Sequence, residues 1–174
     1  SARKSCTAEP KPYHPGSVRR HWPQLKLQGI ARRSSIFWLD LRDAGCIRAI
    51  TDLGAAGINS AVGEMGEDTG VWVNTAVVPL KTAGLPMWRI LLSESQERMA
   101  LAIAPEKLAG AREVLRRHEV RNTVIGRFTG TERYCVVHDP QIDEATIVAA
   151  DVEALPLASE LGFDVPYALL KYSP

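Results

Sequence analysis

The sequence predicts an α+β fold in which helices pack against a layered sheet. Three observations predict it. In the stretch from Arg98 to Ala104, Met99, Leu101 and Ile103 fall on one strand face and Ala100, Ala102 and Ala104 on the other, so both faces are expected to be covered. A helical stripe of Leu108, Ala111, Val114, Leu115 and His118 follows at once, with Pro105 suited to the first helical position. Two more strands, Thr123 to Phe128 and Tyr134 to His138, flank the turn Thr129-Gly130-Thr131.

Taken in chain order, residues 1–33 form a basic, proline-rich leader, expected to be disordered or unrelated to the rest, and residues 34–174 form the domain. Pro10, Pro12, Pro15 and Pro23 interrupt any regular element in the leader. Ser34 or Ser35 can cap a first helix reaching Ile50, carried by Phe37, Leu41 and Ala44, with Gly45 its weak point. Thr51 to Gly57 then reads as a turn with little bulk. Asn59 or Ser60 can cap a short helix from Ala61 to about Met65, closed by Gly66 and Gly70. Val71, Val73, Thr75 and Val77 alternate with Trp72, Asn74 and Ala76, a strand pattern. Pro79, Gly84 and Pro86 mark a loop, and one or two helical turns surround Trp88 to Leu92.

A chain of 174 residues suits one compact domain. No run of about 18 apolar residues occurs, which excludes a spanning helix, and no secretory leader is visible. The first residue is Ser1 rather than methionine, which leaves open trimming or a fragment. Cys6, Cys46 and Cys135 are widely spaced, without a CxxC pair or an HExxH, so neither a zinc site nor a disulfide framework is expected. Free thiols suit a reducing, cytoplasmic location. The net charge of +1 conceals an asymmetry: residues 1–33 carry eight basic side chains against Glu9, net +7, and the remaining 13 basic and 19 acidic residues give −6. Such an arm can meet a polyanion, but its composition favours a solvated leader, and a nucleic-acid partner is not expected.

Two segments do not read as scaffold. In Asp52-Leu53-Gly54-Ala55-Ala56-Gly57 the small residues let backbone amides approach a ligand, and Asp52 places a hard oxygen donor beside them, as magnesium prefers. A tight connection between helices accounts for that turn equally simply, and on the turn alone it is the better account. In Ser93-Glu94-Ser95-Gln96-Glu97-Arg98-Met99, polar residues crowd the entrance of a strand buried on both faces. A rigid sheet positions such residues well for binding. Glu94 can accept from sugar hydroxyls, Ser95 can donate to phosphate, and Gln96 can do both. The competing account is a polar loop with a salt bridge between Glu97 and Arg98 or a neighbour.

The strings Ile50-Thr51-Asp52-Leu53-Gly54-Ala55-Ala56-Gly57, Ser60-Ala61-Val62-Gly63-Glu64-Met65, Val78-Pro79-Leu80-Lys81 and Ser93 to Met99 closely resemble, in order and spacing, the phosphoribosylformylglycinamidine synthase family. Val124-Ile125-Gly126 is similar to that family's next strand. The resemblance is strong from about Ala44 to Asp139, fainter to Pro174 and absent before about Ser34. It implies the C-terminal half of one unit of the aminoimidazole ribonucleotide synthetase-like superfamily. The activity implied is amination of formylglycinamide ribonucleotide, using ATP, Mg2+ and ammonia from glutamine. By motif, Asp52 would hold the metal, Glu94, Ser95 and Gln96 would contact the ribonucleotide, and Gly54, Gly57, Glu64 and Arg98 would support them. No catalytic residue is assigned. The family's ATP-contacting half has no counterpart in residues 1–33, so the nucleotide site is expected mostly outside this chain. The implied partners are that missing N-terminal half and a glutaminase domain or subunit. The alternative is a catalytically inactive remnant or interaction module with the same fold.

Overall fold

A computed structural model describes residues 24–30, 37–95, 98–156 and 162–170. The expected caps Ser34 and Ser35, and Gln96 and Glu97 of the polar cluster, lie outside the described residues.

One seven-stranded sheet runs in the order β2-β4-β1-β5-β3-β6-β7. The strands are β1 (Gln24–Ile30), β2 (Ile47–Asp52), β3 (Val71–Asn74), β4 (Arg98–Ile103), β5 (Arg121–Phe128), β6 (Arg133–Val137) and β7 (Phe163–Pro166). Among the described residues only β3 and β6 pair in parallel; the other neighbours are antiparallel. Among the described residues six α-helices cover the sheet: α1 (Phe37–Asp43), α2 (Gly57–Gly66), α3 (Met87–Leu92), α4 (Leu108–Arg117), α5 (Glu144–Ala149) and α6 (Tyr167–Leu170). Strand alternation splits the core in two. Trp72, Leu101, Ile103, Val124, Cys135 and Val137 turn toward Phe37 and Leu41 of α1, Leu115 of α4 and Ile147 of α5. Their neighbours Val71, Val73, Ala100, Ala102, Ile125 and Val136 turn toward Ile58 and Val62 of α2, Ile90 of α3 and Tyr167 of α6. The α+β layered expectation therefore holds, and β4 is buried on both faces as its pattern required.

Four expectations change. Residues 24–30, inside the stretch read as a leader, form β1 between β4 and β5. Leu25 and Leu27 alternate there with Lys26 and Gln28, a short two-residue period masked by the prolines and cations around it. The first helix stops at Asp43 and does not reach Ile50: Gly45 turns left-handed at φ 63°, and the Gly45 and Cys46 amides donate back to Arg42 and Leu41. Ile47–Asp52 becomes strand β2 instead, because its ladder to β4 satisfies backbone groups that a continued helix would have held locally. The helix expected from Ala61 begins at Gly57, with Ala56 as its left-handed cap and no side-chain cap bond. The strand beginning at Val71 is also shorter than its alternation implied. It ends at Asn74, whose side chain accepts from Ala76 and folds Thr75–Val77 into a 3-10 turn. Among the described residues, no helix is long and apolar enough to cross a membrane.

Candidate ligand-binding rim

Because β2 and β4 are antiparallel, the end of β2 and the start of β4 share one end of the sheet. Asp52 pairs with Met99, and the Leu53 amide donates to the Arg98 carbonyl at 3.1 Å. The chain then reverses through Ala56 and Gly57, both left-handed at φ 60° and 55°. Gly57 is required there twice over. An alanine would be strained at that φ, and its Cβ would sit 2.1 Å from the Ser93 carbonyl oxygen. This close approach brings α2 down onto the entrance of β4, where the Ala56 amide donates to Glu94 Oε1 at 3.1 Å. The two polar motifs, about 40 residues apart in sequence, are thus one continuous surface.

The entrance itself is held by Arg98. Its side chain is buried, 7% exposed. Nε donates to the Ser95 carbonyl at 3.1 Å, and Nη2 donates to the Ser93 carbonyl. Burial lowers the Arg98 pKa from its ordinary value, although an arginine remains cationic at any physiological pH. Ser93 Oγ and Ser95 Oγ lie 3.0 Å apart, one hydroxyl donating to the other. Asp52, Glu94 and Ser95 are exposed, so their polar atoms remain accessible.

The structure places Asp52, Gly54, Gly57, Glu94, Ser95 and Arg98 at one end of the sheet, and Gln96 adjoins them in sequence but lies outside the described residues. Glu64 is exposed on α2, seven residues beyond Gly57 and so roughly 10 Å further along the helix axis. The turn is not an open cradle of amides: Leu53, Ala56 and Gly57 already donate to Arg98, Glu94 and Gly54. The turn is therefore a tight connection, but one from strand β2 to helix α2 rather than between two helices, and the polar groups left accessible beside it are side chains. Among the described residues no three His, Cys, Asp or Glu side chains converge for a metal. Asp52 would offer a single carboxylate oxygen donor, and magnesium is the ion that takes one or two protein carboxylates and completes its shell with phosphate and water. Ala56 is the residue that sequence reasoning missed, because nothing in an alanine signals a left-handed backbone or an amide aimed at a carboxylate.

Residues 36–139 match the family model described as AIR synthase related protein, C-terminal domain. The chain belongs to that family. This AIR synthase related domain is 38% identical over 131 residues to the phosphoribosylformylglycinamidine synthase subunit PurL of Azorhizobium caulinodans, covering 74% of this chain and 16% of that protein. It is 41% identical over 99 residues to the subunit of the same name from Methanopyrus kandleri, covering 56% of this chain and 14% of that one. Among solved structures it superposes on T. maritima PurL complexed with ADP with a TM-score of 0.66 and 26% identity, covering 89% of this chain and 26% of that chain. The domain thus spans about a sixth of the length of these curated relatives.

Proposed function

We propose that this domain supplies the ribonucleotide-side rim of a phosphoribosylformylglycinamidine synthase. That enzyme aminates formylglycinamide ribonucleotide at the expense of ATP in cytoplasmic purine biosynthesis. The observation that supports this reading most is the hydrogen bond from the Ala56 amide to Glu94. It joins the aspartate-bearing turn to the polar cluster, the two strings that carry the family resemblance. The relatives' name supplies the reaction class.

In this reading Glu94, through the carboxylate oxygen that Ala56 leaves available, accepts from ribose hydroxyls, while Ser95 and Gln96 bond the phosphate. Asp52 holds Mg2+, whose charge, when bound, stabilises a transferring phosphoryl group. The fixed backbone of Ser93–Ser95 orients the substrate so that its formamide oxygen meets the phosphoryl donor and its carbon then meets ammonia. Groups that hold ATP and release ammonia from glutamine come from the rest of the synthase, in the same polypeptide or in a partner subunit.

A segment exchange tests this. Residues 36–139 replace the matching segment of T. maritima PurL, and ATP-dependent amidine formation with ammonia is measured. The proposal expects activity in the chimera, with Gln96→Ala lowering it at least tenfold, roughly the loss of one well-placed polar contact. A folded chimera without activity, or one indifferent to Gln96→Ala, would overturn it.

A further inference from the structure

The segment Ser93–Ser95 lies in neither helix nor strand, yet two of its carbonyls, both serine hydroxyls and one Glu94 carboxylate oxygen are hydrogen-bonded. Arg98 grips the carbonyls on both sides of Glu94, the two serine hydroxyls hold each other, and the Glu94 carboxylate is tied to the α2 turn. A planar guanidinium presents its donors in a fixed fork, which matches two carbonyls two residues apart as a flexible ammonium cannot. Burying that cation is costly. Among the described residues no carboxylate forms an ion pair with Arg98, its described partners being the two carbonyls. Arg98, three residues before Leu101 in the core, thus ties the sheet to a tripeptide whose Glu94 and Ser95 are exposed.

We propose that Arg98 is a positioning residue: by clamping the Ser93 and Ser95 carbonyls it holds Glu94 against the Ala56 amide and so preorganises the rim for its ribonucleotide. The ligand in this statement rests on the proposed function; the clamp does not. Arg98 acts through Glu94, so releasing the clamp frees the Ala56 amide without loosening the sheet behind it. Its effect and that of Glu94 overlap and do not add.

Amide hydrogen exchange on the full chain reads the clamp without any ligand. Arg98→Lys keeps the charge and loses the fork; Arg98→Met loses both. The expectation is that both variants accelerate exchange at Ala56 by about tenfold or more, as local opening does. Glu94→Ala should accelerate it as far, the Arg98→Lys/Glu94→Ala double variant no further, and the Leu101 and Leu115 amides should keep their wild-type rates. Unchanged exchange at Ala56 in Arg98→Lys overturns the clamp, and so does equal acceleration at Leu101 and Leu115, which would make Arg98 a prop of the whole fold. Calorimetric titration with formylglycinamide ribonucleotide then separates the two claims. A clamp verified by exchange beside a wild-type chain that shows no affinity would refute the proposed ligand and leave Arg98's positioning role standing. Affinity that survives Arg98→Lys unchanged would refute preorganisation.

Discussion

Replacing Gly57 with alanine should be the most damaging single methyl addition on the rim, and its magnitude follows from the geometry. The new Cβ would lie 2.1 Å from the Ser93 oxygen, 2.8 Å from the Ser93 carbon and 3.0 Å from the Leu91 oxygen. All three are backbone or backbone-bonded atoms that no rotamer change can remove. To restore an ordinary contact the start of α2 must retreat from Ser93 by about 1 Å, which stretches the 3.1 Å bond between Ala56 and Glu94 beyond hydrogen-bonding range. Left-handed backbone in a non-glycine residue costs about 1–2 kcal/mol, overpacking about 1–3 kcal/mol, and the lost bond about 1 kcal/mol. The expected destabilisation is therefore about 3–6 kcal/mol. Two companion substitutions divide it. Gly45 is left-handed at φ 63° with nothing within 4 Å of an added Cβ, so Gly45→Ala isolates the conformational part, about 1–2 kcal/mol. Gly63 lies inside α2 with equally open space, so Gly63→Ala should stabilise by up to about 1 kcal/mol. Equilibrium urea unfolding followed by circular dichroism measures all three. A Gly57→Ala chain within about 1 kcal/mol of wild type would refute the close approach of turn and strand entrance.

Three further outcomes follow from the same structure. Asn74 is fully buried; its amide donates to the Asp139 and Ile142 carbonyls at 2.8 Å each and accepts from the Ala76 and Asp139 amides. Asn74→Ala should cost about 3 kcal/mol or more in urea unfolding, and a cost under about 1 kcal/mol would contradict the network. The Thr146 hydroxyl, and then its amide, bond to Asp143 at the start of α5 and lower that carboxyl's pKa. Its contribution is therefore present above the ordinary aspartate range near pH 4 and is lost as pH falls through the lower folded value. The stability gap between wild type and Asp143→Ala should accordingly close in acid, and a gap that widens there would reverse the sign. Burial pushes the Cys135 thiol up to about 12, and Cys46 is buried as well. In a Cys6→Ser chain, a thiol reagent at pH 8 should react only after denaturation; a rapid reaction in the folded chain would contradict the burial.

The sequence displayed the parts of the fold whose pattern is local and uninterrupted. β4 announced itself by alternation on two apolar faces, and α4 by a stripe of which Leu108, Ala111, Val114 and Leu115 are buried while His118, just past the helix, is half-buried and pairs with Asp40. β1 was hidden because its five-residue alternation sits among prolines and cations and gains its meaning only from pairing with β4 and β5. β2 was hidden for a related reason: Ile47–Asp52 has helix-compatible spacing, and only a partner 50 residues away makes it a strand. At the rim, Asp52 and the Ser93–Met99 string could be read from residue types and family resemblance. The contact between them could not, since it depends on left-handed Ala56 and on an absent Cβ at Gly57. For Arg98 the sequence offered a supporting role or a salt bridge with Glu97, which lies outside the described residues; its described partners are backbone carbonyls, which sequence does not display.

The far end of the sheet offers a rival location, an open cavity of about 390 Å³ lined by Glu67, Asp68, Glu132, Arg133 and Tyr167. Titrating the isotope-labelled chain with formylglycinamide ribonucleotide and Mg2+ while following its amide resonances distinguishes the two ends directly. The account predicts that the amides of Asp52–Gly57 and Ser93–Arg98 shift together along one saturating curve, while those of Asp68, Glu132 and Tyr167 stay in place. Shifts confined to the far cavity, or no shift at either motif at millimolar ligand, would contradict it.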